Sequence, residues 1–386
     1  MAETMLEPED AATAATLLAD ASTRGTRLVM RGANTTALKA DANVVSLSTR
    51  KLTNGLTHFA GDLVATVPAG LTLRELNAAL AAERQWLPLD PPHAGDATIG
   101  GIVATNASGP LRHRYGAPRD LVIGIEVALT NGRVARAGGR VVKNVAGYDL
   151  SRLFCGSHGS LGLITHVTFK LAPVAATSRT VVAHVRSLAQ AATLATELGT
   201  NASLTPSTVE LVAPDTRLLV RYDTTERSGA LMASATAALL APHCTTVAIV
   251  DGAAHDGLWA AHQAIESAPT ALVSTLSTLP RHIGAALDTV VRLASEHGVA
   301  WQATGRVALG VARVLTTGVP DSQRAFALAL RAALEAHDGR VQFGGDLTGL
   351  DDVDASGVLG ATAQVAHAVK QQFDPAGILP YPWGTR

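Results

Sequence analysis

Three glycine-rich polar segments lie between the predicted strands of the first 172 residues, and they restrict the possible folds more than any other feature of this sequence. They are the turn Arg31-Gly32-Ala33-Asn34-Thr35-Thr36, the stretch 88–118, and residues 147–171, which include four glycines. The stretch 88–118 shows no sustained helix or strand period, and a loop of that length inside a compact domain is usually functional. We therefore expect the N-terminal half to bind a ligand through its loops.

Hydrophobic periodicity predicts a mixed α and β structure around these segments. We expect a helix over 9–24 that ends at Gly25, an amphipathic helix over 73–85, and a hairpin turn at Asn131-Gly132. The predicted strands are 28–30, 44–48, 63–70, 121–130, 134–138 and 163–172. Pro173 follows the last of these strands, and we place the domain boundary there, between residues 1–172 and residues 173–386.

From residue 173 onward, strands alternate with alanine-rich helices. The predicted strands are 180–186, 208–213, 217–223, 245–250 and 306–315, and the predicted helices lie near 188–199, 225–241, 256–267, 281–296 and 321–336. This alternation is typical of a smaller α+β domain whose sheet is covered on one face by helices.

The bulk composition limits the classes of function. The chain has 386 residues, which suggests two domains or three, and its net charge of −1 gives no electrostatic case for nucleic acid binding. It has no apolar run of about 18 residues, the length that a transmembrane helix needs. The acidic N-terminus lacks the pattern of a secretory signal, and two cysteines do not make a disulfide framework. We expect a cytoplasmic protein without direct membrane insertion, either free or held at the inner membrane face by partners.

The segment 147–171 has three possible interpretations: a phosphate loop, a cysteine nucleophile site, or a backbone frame for a flat cofactor. A Walker loop needs a Lys followed by Ser or Thr after its last glycine, and residues 156–162 have none. A dinucleotide fingerprint precedes a helix, whereas these glycines precede a strand. Cys155 has His158 nearby in sequence, but a small buried thiol is the simpler interpretation. No histidine pair has a convincing metal-ligand spacing.

The loop 98–109 gives more specific information. Its paired glycines, Gly100 and Gly101, let the backbone approach a ligand closely and are expected to present successive N–H groups to an anion. Short polar side chains around them can neutralise a pyrophosphate by hydrogen bonds. The turn 31–36 offers a second set of the same kind.

Ordered motifs give residues 1–172 a resemblance to a known family. The motifs are Arg31-Gly32-Ala33-Asn34-Thr35, Pro91-Pro92-His93, Ala97-Thr98-Ile99-Gly100-Gly101, Asn106, Gly109, Arg114-Tyr115-Gly116, Lys143 to Leu150, and Gly156 to Ile164. Together they resemble the FAD-binding domain of the vanillyl-alcohol-oxidase and p-cresol-methylhydroxylase (PCMH) superfamily. The segment Phe373 to Leu379 is similar to the C-terminal end of flavin-linked 2-hydroxy acid oxidoreductases. The motif VVKNVAGYDLSRL with a short C-terminal half is most similar to the smaller flavin subunits of bacterial glycolate oxidases.

The resemblance implies a two-part PCMH-type FAD-binding domain followed by a smaller α+β, ferredoxin-like cap domain that also contacts other subunits. It implies a pyrophosphate on the loops 31–36 and 98–109, an isoalloxazine ring that faces the second domain, and a backbone frame for the flavin from Gly159 to Ile164. The implied cofactor-binding residues are Arg31, Gly32, Ala33, Asn34, Thr35, Thr36, Pro91, Thr98, Ile99, Gly100, Gly101, Thr105, Asn106, Ser108, Gly109, Tyr115, Gly159, Gly162 and Ile164.

Two departures from the family pattern bear on the chemistry. Relatives with covalently attached flavin often carry a histidine in the first loop, where this sequence has Asn34 and Thr35, so we expect non-covalent FAD. Larger hydroxy-acid dehydrogenases of the superfamily carry glutamate at the position of His158 and a C-terminal H-x-G-D-G-N-x-H metal motif. Residues 173–386 have no such motif. We expect no metal site and can nominate no catalytic base.

These features leave three hypotheses for function. In the first, the chain is the FAD-binding subunit of a complex that oxidises glycolate to glyoxylate and passes electrons to an iron–sulfur subunit. Arg306 or Arg221 would bind the substrate carboxylate, although we prefer a surface or helix-capping role for each arginine. In the second, which we prefer within such a complex, the chain binds flavin without oxidising substrate and docks a larger homologous flavin subunit. The third is a stand-alone FAD-dependent dehydrogenase of 2-hydroxy acids of the D-lactate type.

Overall fold

The structure, a computed structural model, describes residues 5–35, 44–141, 150–268, 271–350, 352–357 and 361–380. Contacts between Cα atoms divide the chain into two compact units. Unit 1 comprises Met1–Gly109, Tyr115–Val174 and Val358–Arg386, and unit 2 comprises Pro110–Arg114 and Ala175–Gly357. Both units combine helices with sheets, so the predicted α+β class is confirmed.

Unit 1 contains a short parallel sheet in the order β1-β3-β2 and a five-stranded antiparallel sheet in the order β4-β5-β9-β7-β8. A further short pair, β6 and β10, is also antiparallel. The strands are β1 (Met5–Leu6), β2 (Leu28–Arg31), β3 (Val45–Ser48), β4 (Thr57–Phe59), β5 (Val64–Pro68), β6 (Gln85–Trp86), β7 (Val122–Ala128), β8 (Val134–Gly138), β9 (Leu163–Lys170) and β10 (Ala172–Pro173). The helices are α1 (Ala11–Arg24), α2 (Leu73–Leu80), α3 (Ile99–Thr105), α4 (Arg112–Tyr115), α5 (Pro118–Leu121), α6 (Leu150–Phe154) and, near the C-terminus, α12 (Ala361–Phe373).

The first helix forms where its end signals predicted it. The carboxylate of Asp10 accepts a hydrogen bond from the Thr13 N–H at 2.7 Å and caps the N-terminus of α1. Gly25, with φ of 65°, ends the helix in the left-handed conformation. Leu18 and the neighbouring alanines Ala14 and Ala15 are buried against the parallel sheet.

The stretch 88–118 is not the continuous loop that its lack of period predicted, because α3 lies inside it. Thr98 caps this helix, and Asn106, with φ of 50°, ends it. A Cβ atom on Gly100 would lie 2.9 Å from the Cβ of Ala69, so only glycine permits this close packing on the chain that follows β5. Tertiary packing therefore stabilises a helix whose sequence has little intrinsic helix propensity.

Unit 2 is built on one eight-stranded sheet in the order β14-β11-β13-β12-β16-β17-β15-β18, in which all neighbouring strands are antiparallel. The strands are β11 (Thr177–Val185), β12 (Thr208–Ala213), β13 (Arg217–Thr224), β14 (Cys244–Asp251), β15 (Leu272–Ser277), β16 (Ala300–Arg306), β17 (Val311–Thr317) and β18 (Arg340–Gly345). The helices are α7 (Leu188–Thr200), α8 (Glu226–Leu240), α9 (Gly252–Glu266), α10 (Ile283–His297) and α11 (Pro320–Glu335).

The two faces of this sheet differ in chemistry. Alternate residues such as Val181, Leu211 and Ala303 pack into one hydrophobic core with α7, α8, α10 and α11. Their sequence neighbours point to the opposite face, where Thr180 and Thr304 hydrogen-bond to side chains of α9. The prediction that helices cover one face is therefore incomplete, because α9 covers part of the other face with polar contacts.

Three further predictions about the second half differ from the structure. The run 306–315, which was predicted as one strand, contains the last residue of β16, a short 3-10 turn over Val307–Leu309, Gly310 with φ of 70°, and the first part of β17. The strands β15 and β18 were not predicted. The described residues 361–380 do not belong to the second domain, because they fall in unit 1, where Ile378 and Leu379 pack into the core beside α1.

Candidate functional site

Unit 1 contains an open cleft of about 860 Å³, a volume that includes its solvent-exposed mouth. Its walls come from the end of β2 and the turn after it, from residues 91–105, and from the segment 158–164 that leads into β9. The lining residues are Met30, Arg31, Gly32, Ala33, Asn34, Thr35, Thr49, Pro91, Pro92, Ala97, Thr98, Gly100, Gly101, Ile102, Ala104, Thr105, Ala107, His158, Gly159, Gly162, Leu163 and Ile164.

The first wall is the turn after β2. Arg31 donates a hydrogen bond from Nε to the Ser46 Oγ at 2.7 Å and another, at 3.4 Å, to the Asn34 side chain. Asn34 has φ of 57°, which bends the chain sharply. Within the described ranges, the backbone N–H groups of Gly32 and Ala33 meet no acceptor. This wall therefore presents hydrogen-bond donors to an anion.

The second wall is the start of α3, and here the expected N–H groups are not available. The Gly100 N–H donates to the Ala69 carbonyl at 2.9 Å, and the Gly101 N–H lies 3.3 Å from the Thr98 Oγ1. The predicted nest of successive free N–H groups at this glycine pair is therefore wrong. A Cβ on Gly101 would approach only the Thr98 Oγ1, at 3.1 Å, and otherwise meet open space. Gly101 supplies a flat wall that a ligand can approach closely.

The third wall is the segment 158–164. His158 has φ of 52°, and its N–H donates to the Ala104 carbonyl at 2.7 Å. Gly159 follows with φ of 76°, and a Cβ there would lie 2.7 Å from the Met30 Cγ. Two successive left-handed residues carry the chain across the cleft, and the second of them must be glycine because β2 packs against it.

Two of the described side chains that line this cleft can carry charge. They are Arg31 and His158, and no carboxylate is among the described lining residues. Burial lowers the pKa of His158 below its usual range. The cleft therefore combines a positive or neutral lining with backbone donors, which suits an anionic ligand.

Thirteen of the sequence-predicted cofactor residues line this cleft, and five do not. The thirteen are Arg31, Gly32, Ala33, Asn34, Thr35, Pro91, Thr98, Gly100, Gly101, Thr105, Gly159, Gly162 and Ile164. Thr36 and the predicted motif residues 143–149 lie outside the described residues.

The five predicted residues that do not line the cleft are Ile99, Asn106, Ser108, Gly109 and Tyr115, and four of them have structural roles. Ile99 is fully buried in the core. Asn106 ends α3 and accepts a hydrogen bond from the Arg119 N–H at 3.1 Å. Gly109 packs so closely that a Cβ would lie 1.9 Å from the Asp90 carbonyl oxygen. The Tyr115 ring contacts the Trp86 ring edge-on at 6.0 Å.

Sequence reasoning missed nine residues that line the cleft. They are Met30, Thr49, Pro92, Ala97, Ile102, Ala104, Ala107, His158 and Leu163. Most are neighbours of predicted residues, and the glycine-rich context of His158 was a usable signal. Thr49 reaches the cleft because its N–H donates to the Arg31 carbonyl at 2.8 Å, which depends on the register of β3 against β2.

Unit 2 contains a buried cluster of charged side chains on the polar face of its sheet. Arg306 is 2% exposed and donates to both oxygens of Glu210 at 3.2 Å and to Glu266. The His262 Nε2 lies 3.3 Å from the Glu210 Oε1, and Arg313 flanks Glu266 at 3.8 Å. Burial acts to raise the pKa of Glu266, but the two guanidinium groups outweigh it and lower that pKa to about 2. Burial likewise opposes protonation of His262, and the hydrogen bond with Glu210 reverses this and raises its pKa.

Three of these groups have the spacing of a metal site. Ligand atoms of Glu210, His262 and Glu266 lie within 4.8 Å of one another. However, Arg306 donates to both carboxylates and Arg313 flanks one of them, so their charge is already balanced. A divalent cation would add two positive charges beside two guanidinium groups. We interpret the cluster as a salt-bridge network.

Both arginines that the sequence offered for a substrate carboxylate are paired within unit 2. Arg306 is neither a surface nor a capping residue, because it lies inside the network. Arg221 donates from Nε to the Asp223 Oδ1 at 2.8 Å, and Asp223 is buried. Their carboxylate-binding positions are therefore taken by the chain's own carboxylates.

The C-terminal motif Phe373 to Leu379 attaches the end of the chain to unit 1. The Asp374 carboxylate accepts hydrogen bonds from the Ile378 N–H at 3.1 Å and the Leu379 N–H at 2.8 Å, and pairs with the buried Lys370. The Ile378 carbonyl then accepts from the Leu28 N–H of β2 at 2.8 Å. This contact stabilises β2, the strand that ends in the first wall of the cleft.

No helix among the described residues is long and apolar enough to cross a membrane.

Comparison with known protein families identifies the unit that carries the cleft. The family described as "FAD binding domain" matches residues 2–138. Residues 2–138, in the N-terminal part of this chain, thus match an FAD-binding domain. The cleft residues fit this cofactor, because Gly101 has no side chain and admits close approach, and the described lining contains no carboxylate.

Relatives of known sequence share this domain. The glycolate oxidase subunit GlcE of Escherichia coli is 41% identical over 150 residues, which cover 38% of this chain and 43% of the relative. The glycolate oxidase subunit GlcD of Bacillus subtilis is 38% identical over 159 residues, 41% of this chain and 34% of the relative. A D-lactate dehydrogenase of Archaeoglobus fulgidus is 37% identical over 175 residues, 44% of this chain and 38% of the relative. The similarity thus spans less than half the length of each of these proteins.

Solved structures extend the fold comparison to the rest of the chain. Two structures of alkyldihydroxyacetonephosphate synthase match 97% of this chain and 76% of their own length, with TM-scores of 0.70 and 0.72. Their sequences are only 14% and 15% identical to this one, so the match concerns the fold alone.

Proposed function

We propose that this chain is the FAD-binding subunit of a complex that oxidises a small 2-hydroxy acid, with glycolate as the first candidate substrate. The observation that carries the proposal is the cleft, whose first two walls lie within the residues that match an FAD-binding domain and whose described lining contains no carboxylate. The substrate class is supported by relatives that are named glycolate oxidase subunits and D-lactate dehydrogenase.

Bound FAD would supply a hydride acceptor, and the chain's own residues would hold it without a covalent bond. The N–H groups of Gly32 and Ala33 would donate to its anionic part, while Gly101 allows the backbone of α3 to lie against it. Acid precipitation of the yellow protein should release the flavin into the supernatant. A yellow pellet would contradict non-covalent binding.

A second candidate function is a flavin-binding subunit that does not oxidise substrate and instead passes electrons or supports assembly. It would dock a larger homologous flavin subunit and an iron–sulfur subunit. The pairing of Arg306 and Arg221 with buried carboxylates favours this candidate, since neither guanidinium is placed to bind a substrate carboxylate in place of its partner.

The cofactor assignment can be tested with one variant at the cleft. Gly101→Leu would place a side chain in the space that Gly101 leaves open, and we expect the purified protein to lose its FAD while its secondary structure is retained. Gly257→Leu is the matched control, because Gly257 is an exposed helical glycine where an added Cβ atom would meet no other atom within 4 Å. Stoichiometric FAD in the Gly101→Leu protein would contradict the assignment.

Anaerobic addition of glycolate distinguishes the two functions. Bleaching of the flavin in the isolated chain would support substrate oxidation by this chain and eliminate the second candidate. Bleaching that requires the co-purified partners would support the second candidate. If the partner-bound complex bleaches with D-lactate and not with glycolate, the 2-hydroxy acid class stands and glycolate is wrong.

A further inference from the structure

His158 is a side chain of the cleft that the predicted cofactor set did not include. Its ring lines the cleft and is partly buried, and within the described part of the chain no hydrogen-bond partner is found for either ring nitrogen. The backbone fixes its position, because the His158 N–H is bonded to Ala104 and the next residue, Gly159, packs on Met30. The ring nitrogens of this fixed, partly buried imidazole are therefore available to hydrogen-bond a ligand in the cleft.

The charges around His158 identify the part of the ligand that it would contact. Of the described residues that form the cleft, β2 contributes Arg31, and the turn after it up to Thr35, the prolines, α3 and the segment after His158 contribute no titratable lining residue. Among the described residues, burial accounts for the lowered pKa of His158. The pyrophosphate of FAD carries two negative charges, and Arg31 and His158 are the two described lining side chains that can be cations.

We propose that the imidazole of His158 binds the FAD pyrophosphate in its protonated form, so that FAD binding takes up one proton. The inference rests on the FAD-binding role proposed above. In the free protein, burial disfavours the protonated ring and lowers its pKa, and no described carboxylate lines the cleft to compensate its charge. The bound pyrophosphate supplies that compensation and favours the imidazolium. Protonation and binding are therefore coupled.

The coupling predicts how FAD affinity depends on pH. Between the pKa of the free imidazole and its raised pKa in the complex, affinity should fall with rising pH and approach a loss of about tenfold per pH unit, the limit for one linked proton. FAD itself does not titrate at its pyrophosphate in this range. His158→Asn is the preferred variant, since asparagine tolerates a positive φ. We expect the variant to bind FAD about 10- to 100-fold more weakly than the wild type near pH 6, which is the loss expected when one hydrogen bond to a charged group is removed. Its FAD affinity should depend little on pH.

The experiment titrates apo protein with FAD, ADP-ribose and riboflavin between about pH 5.5 and 8, a range that brackets the ordinary histidine pKa. Calorimetry in two buffers of different ionisation enthalpy counts the protons. We expect proton uptake with FAD and with ADP-ribose, which share the pyrophosphate, and none with riboflavin, which lacks it. His158→Lys supplies a permanent cation and should restore affinity without pH dependence.

Each outcome is decisive. Wild-type protein that binds no FAD would refute the proposed function itself. Normal FAD binding without proton uptake, or an unchanged pH profile in His158→Asn, would refute only the role of His158. If His158→Asn weakens the binding of riboflavin as strongly as the binding of FAD, the imidazole contacts the flavin ring and the pyrophosphate assignment is wrong.

Discussion

Replacement of Arg306 by methionine should destabilise unit 2 strongly and in a pH-dependent way. Methionine has a similar length but no charge, so the change leaves Glu210 and Glu266 buried with only Arg313 and His262 to compensate them. Breaking a buried pair by removing one partner costs about 3–5 kcal/mol. The shift of the Glu266 pKa from 4.5 to about 2 corresponds to about 3 kcal/mol, which agrees with that range.

The pH dependence follows from the sign of the Glu266 shift. In the wild type the folded-state pKa is lowered, so the stabilisation is present above the unfolded pKa of 4.5 and is lost as the pH falls towards 2. Without Arg306, burial acts to raise the pKa of the same carboxyl. The variant then gains stability relative to the wild type as the carboxyl protonates. The difference in unfolding free energy between the wild type and the variant should therefore become smaller as the pH falls from about 7 to about 5, near the ordinary carboxyl range.

Urea unfolding of the full chain measures this difference. Tryptophan fluorescence is a suitable signal, because the Trp259 ring lies 5.3 Å from the His262 ring beside the network. Arg292→Met is the matched control: Arg292 forms an exposed pair with Glu296, and such pairs contribute about 0.3–0.5 kcal/mol. An Arg306→Met protein within about 1 kcal/mol of that control, or a difference that stays constant with pH, would refute the reasoning.

Two further predictions concern unit 1. Asp374→Asn should lower the unfolding free energy of unit 1 by about 3 kcal/mol, because the buried Lys370 loses the counter-charge with which it is paired. Thermal unfolding measures this loss, with the exposed Asp352→Asn as the control. Equal unfolding midpoints of the two variants would contradict the prediction. Gly32→Ala should reduce FAD occupancy, because the new Cβ would lie 2.2 Å from the Thr98 Oγ1 and must push the two walls of the cleft apart. The flavin-to-protein absorbance ratio measures the occupancy. Full occupancy would show that the walls can adjust.

Local signals were sufficient to predict much of the fold. Asp10 and Gly25 identify the ends of α1, and the strand β12 was predicted with the observed limits, Thr208–Ala213. The errors lie where tertiary contacts override the local sequence. Gly100 and Gly101 lower the helix propensity of 99–105, yet packing on Ala69 makes that segment a helix. The apolar run 306–315 gives no strong turn signal apart from Gly310, so its hairpin was not predicted.

The candidate site could be predicted only in outline. Glycine-rich motifs predicted the three segments that line the cleft. The motif could not tell which glycines face a ligand and which face the protein. Gly101 faces the cleft, whereas Gly109 is required by the Asp90 carbonyl. Such a distinction depends on neighbours that are distant in sequence.

The buried network shows the same limit for charged residues. Glu210 lies within the apolar strand TVELVA, and a charge at such a position must be paired if the strand is buried. The sequence thus signals that a partner exists. It does not identify the partner, because His262 is 52 residues and Arg306 is 96 residues away, on α9 and β16. Because Arg306 is paired with Glu210 and Glu266, it is no longer a candidate for binding the substrate carboxylate. A residue type that suggests catalysis in the sequence can therefore have a structural role once its partners are known.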